Sequence, residues 1–142
     1  MTAKQLSVFI ENRKGRLSEV LDVLKENGVS IISLSLADTT EYGLLRLIVN
    51  NPEQGREQLA KAGFSTLLSD VLIIKIPHVA GSLQAILKKI EKEDINVEYL
   101  YGLSIESEQA YVVLKASDAQ RTSKVLEENG IETLLPDQIA KL

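Results

Sequence analysis

Apolar and polar residues alternate over residues 4–10, where Leu6, Val8 and Ile10 fall on one side, and the pattern predicts a strand. Residues 71–76 repeat it with Leu72, Ile74 and Ile76. The period then becomes helical: Leu17, Val20, Leu21 and Leu24 recur at helix spacing, and so do Leu83, Ile86, Leu87 and Ile90. Asn27-Gly28 supplies a helix end suited to positive φ, with Glu93-Asp94 in the corresponding place. Residues 29–36 and 95–104 are predicted second strands, and residues 43–49 and 109–115 third strands, reached by short polar turns. Pro52 opens one further helix and Ser117-Asp118 caps another. Short strands at 64–68 and 131–135 end each series.

The two series are one sequence repeated. Lys14-Gly15-Arg16-Leu17 lies over Ala80-Gly81-Ser82-Leu83, and the same shift of 66 carries Leu6 onto Leu72, Val8 onto Ile74, Leu24 onto Ile90 and Ile31 onto Val97. With one residue inserted, Leu59 meets Leu126, Gly63 meets Gly130, and Thr66-Leu67-Leu68 recurs as Thr133-Leu134-Leu135. Glycines kept in step over the whole length identify a duplication rather than chance leucine spacing. Each copy has the order βαββαβ. The expected fold class is therefore α+β: two ferredoxin-like modules, each an antiparallel sheet with both helices on one face. The modules are expected at residues 1–69 and 70–142, joined only by Ser69-Asp70 between two strands.

The strands are apolar on both sides. Leu44 and Ile48 oppose Leu45, Leu47 and Val49, and Val71 and Ile73 oppose Leu72, Ile74 and Ile76. Such a sheet needs a cover on the side away from its helices. The other module or a second chain is expected to provide it, and a homodimer is the expected assembly.

Composition then removes whole classes of function. The 142 residues are 44% hydrophobic and 25% charged, with a formal net charge of −4, which argues against a phosphate-backbone partner and so against nucleic acid. There is no cysteine, which removes disulfides, thiolate metal sites and cysteine nucleophiles. No apolar run is long enough to span a bilayer and no signal peptide is recognisable, so no membrane partner and a cytoplasmic location are expected. The single histidine, His78, lacks a serine–aspartate setting, and no P-loop or dinucleotide fingerprint occurs. No catalytic residue, metal ligand or cofactor is assigned, and the chain is not expected to be an enzyme.

The informative segment is the turn from first strand to first helix: Asn12-Arg13-Lys14-Gly15-Arg16-Leu17, matched by His78-Val79-Ala80-Gly81-Ser82-Leu83. Glycine at the mouth of a helix lets backbone amides approach a ligand without a Cβ in the way. The unpaired amides of a helix N-terminus suit a carboxylate. Asn12 or His78, three residues before the glycine, can then read a second group such as an amine. Conformation alone also explains a glycine at such a turn; two copies with one layout favour binding.

These residues, with Asn27-Gly28-Val29-Ser30-Ile31 opening a second strand, resemble the ACT domain, an amino-acid-sensing module attached to many enzymes of amino-acid metabolism. The second copy is similar through Gly81, Leu83 and Asp94-Ile95-Asn96-Val97, with Tyr111-Val112-Val113 suiting the third strand. The likeness covers nearly the whole chain and implies a stand-alone tandem ACT protein. It implies a free amino acid or close analogue as ligand, bound at the interface of paired modules, and a partner enzyme of amino-acid metabolism. Carried over, Asn12, Arg13, Lys14, Gly15, Arg16 and Leu17 join Asn96 in one half-site, and His78, Val79, Ala80, Gly81, Ser82 and Leu83 join Ser30 in the other. Lys14 and Ala80 replace the family's frequent proline, and His78 stands where asparagine or aspartate is usual, so the two sites are expected to differ. Tyr99 and Tyr101, on one side of their strand, line the ligand's side-chain end or pack at an interface.

Two rivals remain, and a third, the nucleic-acid reading, fails. Acylphosphatase, a ferredoxin-like enzyme, uses an arginine in this loop, and Arg13 or Arg16 would have to serve. An RNA-binding ferredoxin-like domain stacks bases on aromatics of its first and third strands, but Phe9 and Tyr111 stand in different copies. The stronger alternative is a ligand-independent dimerisation or protein-interaction module.

Overall fold

The computed structural model describes residues 2–38, 41–106 and 108–139. The turns expected before the third strands include residues 39, 40 and 107, and the expected second module ends at 142; these positions lie outside the described residues. The chain divides into two compact units, one built on Lys4–Ser69 and the other on Asp70–Lys141, with Ala3 grouped with the latter.

The first module contains β1 (Ala3–Glu11), α1 (Arg16–Glu26), β2 (Ile31–Asp38), β3 (Tyr42–Val49), α2 (Pro52–Lys61) and the start of β4 (Ser65–Pro77). Its strand order is β2-β3-β1-β4. Antiparallel register sets Leu6 against Leu47, Val8 against Leu45 and Ile10 against Gly43, so the alternating apolar residues share one face. That face packs on Val20, Leu24 and Leu59 of the two helices. At Gly55 of α2 a Cβ would stand 3.1 Å from Leu6 Cδ2, so glycine allows the helix to settle closely on the sheet.

The second module follows the same plan with the rest of β4, α3 (Ser82–Lys92), β5 (Val97–Glu106), β6 (Gln109–Ala116), α4 (Ala119–Glu128), β7 (Glu132–Thr133) and a last turn, α5 (Pro136–Ile139). Its order is β5-β6-β4-β7. Leu72, Ile74, Ile90, Leu114 and Leu126 are at most 1% exposed, and each burial contributes about 1.5–3 kcal/mol of transfer free energy. Val71, Ile73 and Val113 lie outside this helix-side cluster and are buried too, as are Ile48, Gln5 and Ser7 of the first module.

The duplication extends to backbone detail. Gly28 ends α1 with φ 68°, and Asp94, the one described non-glycine residue at positive φ, ends α3 with φ 58°. The fold departs from expectation in three places. Ser69-Asp70 is no break, because β4 runs through it as one strand of 13 residues. The second strands begin two residues late, at Ile31 and Val97, where Ser30 pairs with Asn50 and Asn96 with Ser117. The last strand keeps only Glu132–Thr133: Leu135 N–H donates to Gln138 Oε1 at 2.7 Å, and Pro136 has no N–H to offer a ladder.

Candidate functional site

Both loops are built identically from the strand outward. Asn12 N–H donates to Glu41 O at 3.0 Å, and His78 N–H donates to Glu108 O at 2.6 Å, which pins each loop to the start of the third strand. Arg16 N–H then donates to Arg13 O at 3.3 Å, and Ser82 N–H to Val79 O at 3.2 Å. Gly15 and Gly81 sit at the helix N-caps with φ 89°. The first helical bonds run from Glu19 to Gly15 O and from Ala85 to Gly81 O, each 3.0 Å.

What distinguishes α1 and α3 is the absence of a side-chain cap. In α2 the Asn51 side chain accepts from Gln54 N–H, and in α4 Asp118 accepts from Arg121 N–H. Orphan first-turn amides are thus satisfied by this protein's own side chains at two helices and not at the two that follow the glycine loops. Such amides, at the positive end of the helix dipole, are suited to a carboxylate.

The side chains named from the sequence divide into two groups. Asn12, Arg13, Lys14 and Gly15 are exposed, as are His78, Val79, Ala80 and Gly81. Leu17 and Leu83 instead pack against their module cores. Arg16 is also turned inward: its guanidinium lies 4.3 Å from the Phe64 ring centroid and its Nη1 donates to Glu19 Oε2 at 2.5 Å, while its buried Nε has no hydrogen-bond partner. Arg13 Nε donates to Glu11 Oε2 at 2.8 Å, and this bond, with the guanidinium charge, holds the Glu11 carboxyl below its ordinary value.

Within its own module, each second-strand polar residue stands at the far end of the sheet from the loop. Asn12 is tied to Glu41 before β3, whereas Ser30 is tied to Asn50 after it; Asn96 is likewise tied to Ser117. Tyr99 and Tyr101 stack, with ring centroids 6.5 Å apart, opposite Lys115 and Val113 on the face away from the helices.

Sequence reasoning missed a cavity of about 400 Å³ in the second module, bounded by Gly102, Ile105, Ala110 and Val112. Gly102 pairs with Val112 and Ile105 with Ala110, and Val112 belongs to the helix-side core. The available signal was Gly102 standing where the first copy has Leu36. A second cavity, of about 410 Å³, is lined by Ser123, Glu127, Gly130 and Glu132 beside α4 and β7. Among the described residues no group of three or more His, Cys, Asp or Glu is placed to hold a metal ion, and no helix is long and apolar enough to cross a membrane.

Two ferredoxin-like modules with matched, uncapped glycine loops define a tandem α+β pair. The family model described as an ACT domain pair matches residues 1–142, and the chain belongs to that family of regulatory modules. Among solved structures, the protein BT0572 from Bacteroides thetaiotaomicron is 34% identical, with a TM-score of 0.94 over 100% of this chain and 98% of that one. The regulatory subunit of aspartate kinase from Thermus thermophilus, in a ligand-free form, is 15% identical with a TM-score of 0.63 over 88% and 91%. Aspartate kinase from Clostridium acetobutylicum is 13% identical with a TM-score of 0.53 over 88% of this chain and 32% of that one. The two kinase likenesses speak for the fold. No curated protein matches the chain.

Proposed function

We propose that this protein is a non-catalytic sensor of a free amino acid or a close analogue, and that occupancy changes its self-association or its grip on a partner enzyme of amino-acid metabolism. The observation carrying this reading is the pair of helix starts at Gly15 and Gly81, alike in backbone conformation and both without a side-chain cap. The ligand carboxylate accepts from the first-turn amides that follow Arg16 and Ser82, whose own N–H groups already donate within the loops, and Asn12 or His78 orients the amine. Family membership and the regulatory-subunit name of the Thermus thermophilus relative support a regulatory role.

Calorimetry with a panel of amino acids tests the reading, using the wild type and Gly15→Val and Gly81→Val. Saturable heat with at least one amino acid, weakened in one or both variants while the fold persists, is expected. No heat with any of them favours a ligand-independent interaction module instead.

A further inference from the structure

The duplication contains one reciprocal exchange of size. In the first module Leu36 and Ile10 converge over Gly43: a Cβ on that glycine would stand 3.2 Å from Leu36 Cδ1 and 3.2 Å from Ile10 Cγ1. The equivalents in the second module are Gly102, Ile76 and Ala110, and the ladders agree, with Leu36 opposite Leu45 and Gly102 opposite Val112. The bulky side chain has gone from the second strand, and the third strand has gained only a methyl group.

Neither backbone nor packing calls for glycine at 102. Its φ is not in the left-handed region, unlike that of Gly81. A Cβ built there meets nothing within 4 Å. The space opens into the 400 Å³ cavity, whose rim includes Ile105, 63% exposed. Ser104 also borders the cavity, and its buried Oγ has no hydrogen-bond partner.

From this exchange we infer that the second module holds the side-chain subsite of the ligand, that the subsite takes a leucine-sized aliphatic group, and that Gly102 sets this specificity. The first module shows what fits: its own Leu36 covers the corresponding place. The second leaves that place to a branched aliphatic amino acid. Ala110 lies opposite Ile76 in β4, two residues and roughly 7 Å of strand before His78, so the subsite adjoins the loop that ends at Gly81. The inference rests on the proposed amino-acid binding and adds to it the module, the ligand class and the selecting residue.

Two variants test it by calorimetry with leucine, isoleucine, valine, alanine, aspartate and lysine. Gly102→Leu gives the second module the first module's side chain and is expected to weaken binding of the branched ligands by about tenfold, since the introduced side chain fills the open depression in which the ligand's apolar group would rest. Leu36→Gly opens the first module and is expected to raise the stoichiometry for the same ligands from one to two per chain. Circular dichroism and thermal melting check that both variants are folded. Binding of only aspartate, lysine or alanine, undisturbed by Gly102→Leu, overturns the inference and leaves amino-acid sensing standing. Absence of binding by any amino acid overturns both. Should Gly102→Leu fail to fold, an unchanged stoichiometry in Leu36→Gly overturns it alone.

Discussion

Gly15 and Gly81, 66 positions apart, hold the same backbone conformation, with φ 89° at both and ψ −15° and −9°. Nothing lies within 4 Å of a Cβ added at either position, so a substitution is opposed by backbone strain and not by crowding. Gly15→Val and Gly81→Val are each expected to cost about 1–2 kcal/mol of stability. Urea denaturation checks this, and losses much greater than that would mean the loops also carry packing.

Asp94 occupies the left-handed position that Gly28 fills in the first module. Asp94→Gly removes a Cβ from a conformation that disfavours one, and is expected to stabilise the protein by up to about 1 kcal/mol. Gly28→Asp is expected to move the melting temperature the other way.

Asn51 and Asp118 cap α2 and α4, and the helices they start also brace the preceding helix ends. Gln54 Nε2 donates to Asn27 O at 3.1 Å, and the Arg121 guanidinium donates to Glu93 O in the equivalent place. Asn51→Ala and Asp118→Ala are each expected to cost about 0.5–2 kcal/mol, measured by chemical denaturation.

The Arg13 hydrogen bond and charge lower the pKa of Glu11 from an ordinary 4.5. A carboxylate lowered by folding adds stability that is present above its unfolded pKa and is lost as pH falls through the folded one. The pair is exposed, so that contribution is small and falls further with salt. Arg13→Gln is expected to bring the Glu11 midpoint back up toward its ordinary value in a carboxyl NMR titration. An unchanged midpoint would show that the contact is not populated in solution.

Local pattern carried much of the fold. Leu6, Val8 and Ile10 alternate because they face helices, and Leu83, Ile86, Leu87 and Ile90 recur because one stripe of α3 meets the sheet. Repetition supplied the topology, since two weak patterns in step outweigh either alone. The unbroken β4 was not legible, because Ser69-Asp70 reads as a polar join while extended backbone accommodates both residues. Nor was the inward turn of Arg16, which needs Phe64 from a distant segment. The Leu36–Gly102 exchange was present in the aligned copies, yet only the strand register showed that both residues stand over the same third-strand position.

Amide chemical-shift mapping during titration with leucine reads binding at the loops most directly. The amides of residues 81–84 are expected to move with a saturable dependence on leucine, and those of residues 15–18, 81–84 or both with at least one amino acid. Amides that stay still at millimolar leucine and with every other amino acid, or shifts confined to the cavity at Ser123, Gly130 and Thr133, would contradict carboxylate capture at these helix starts.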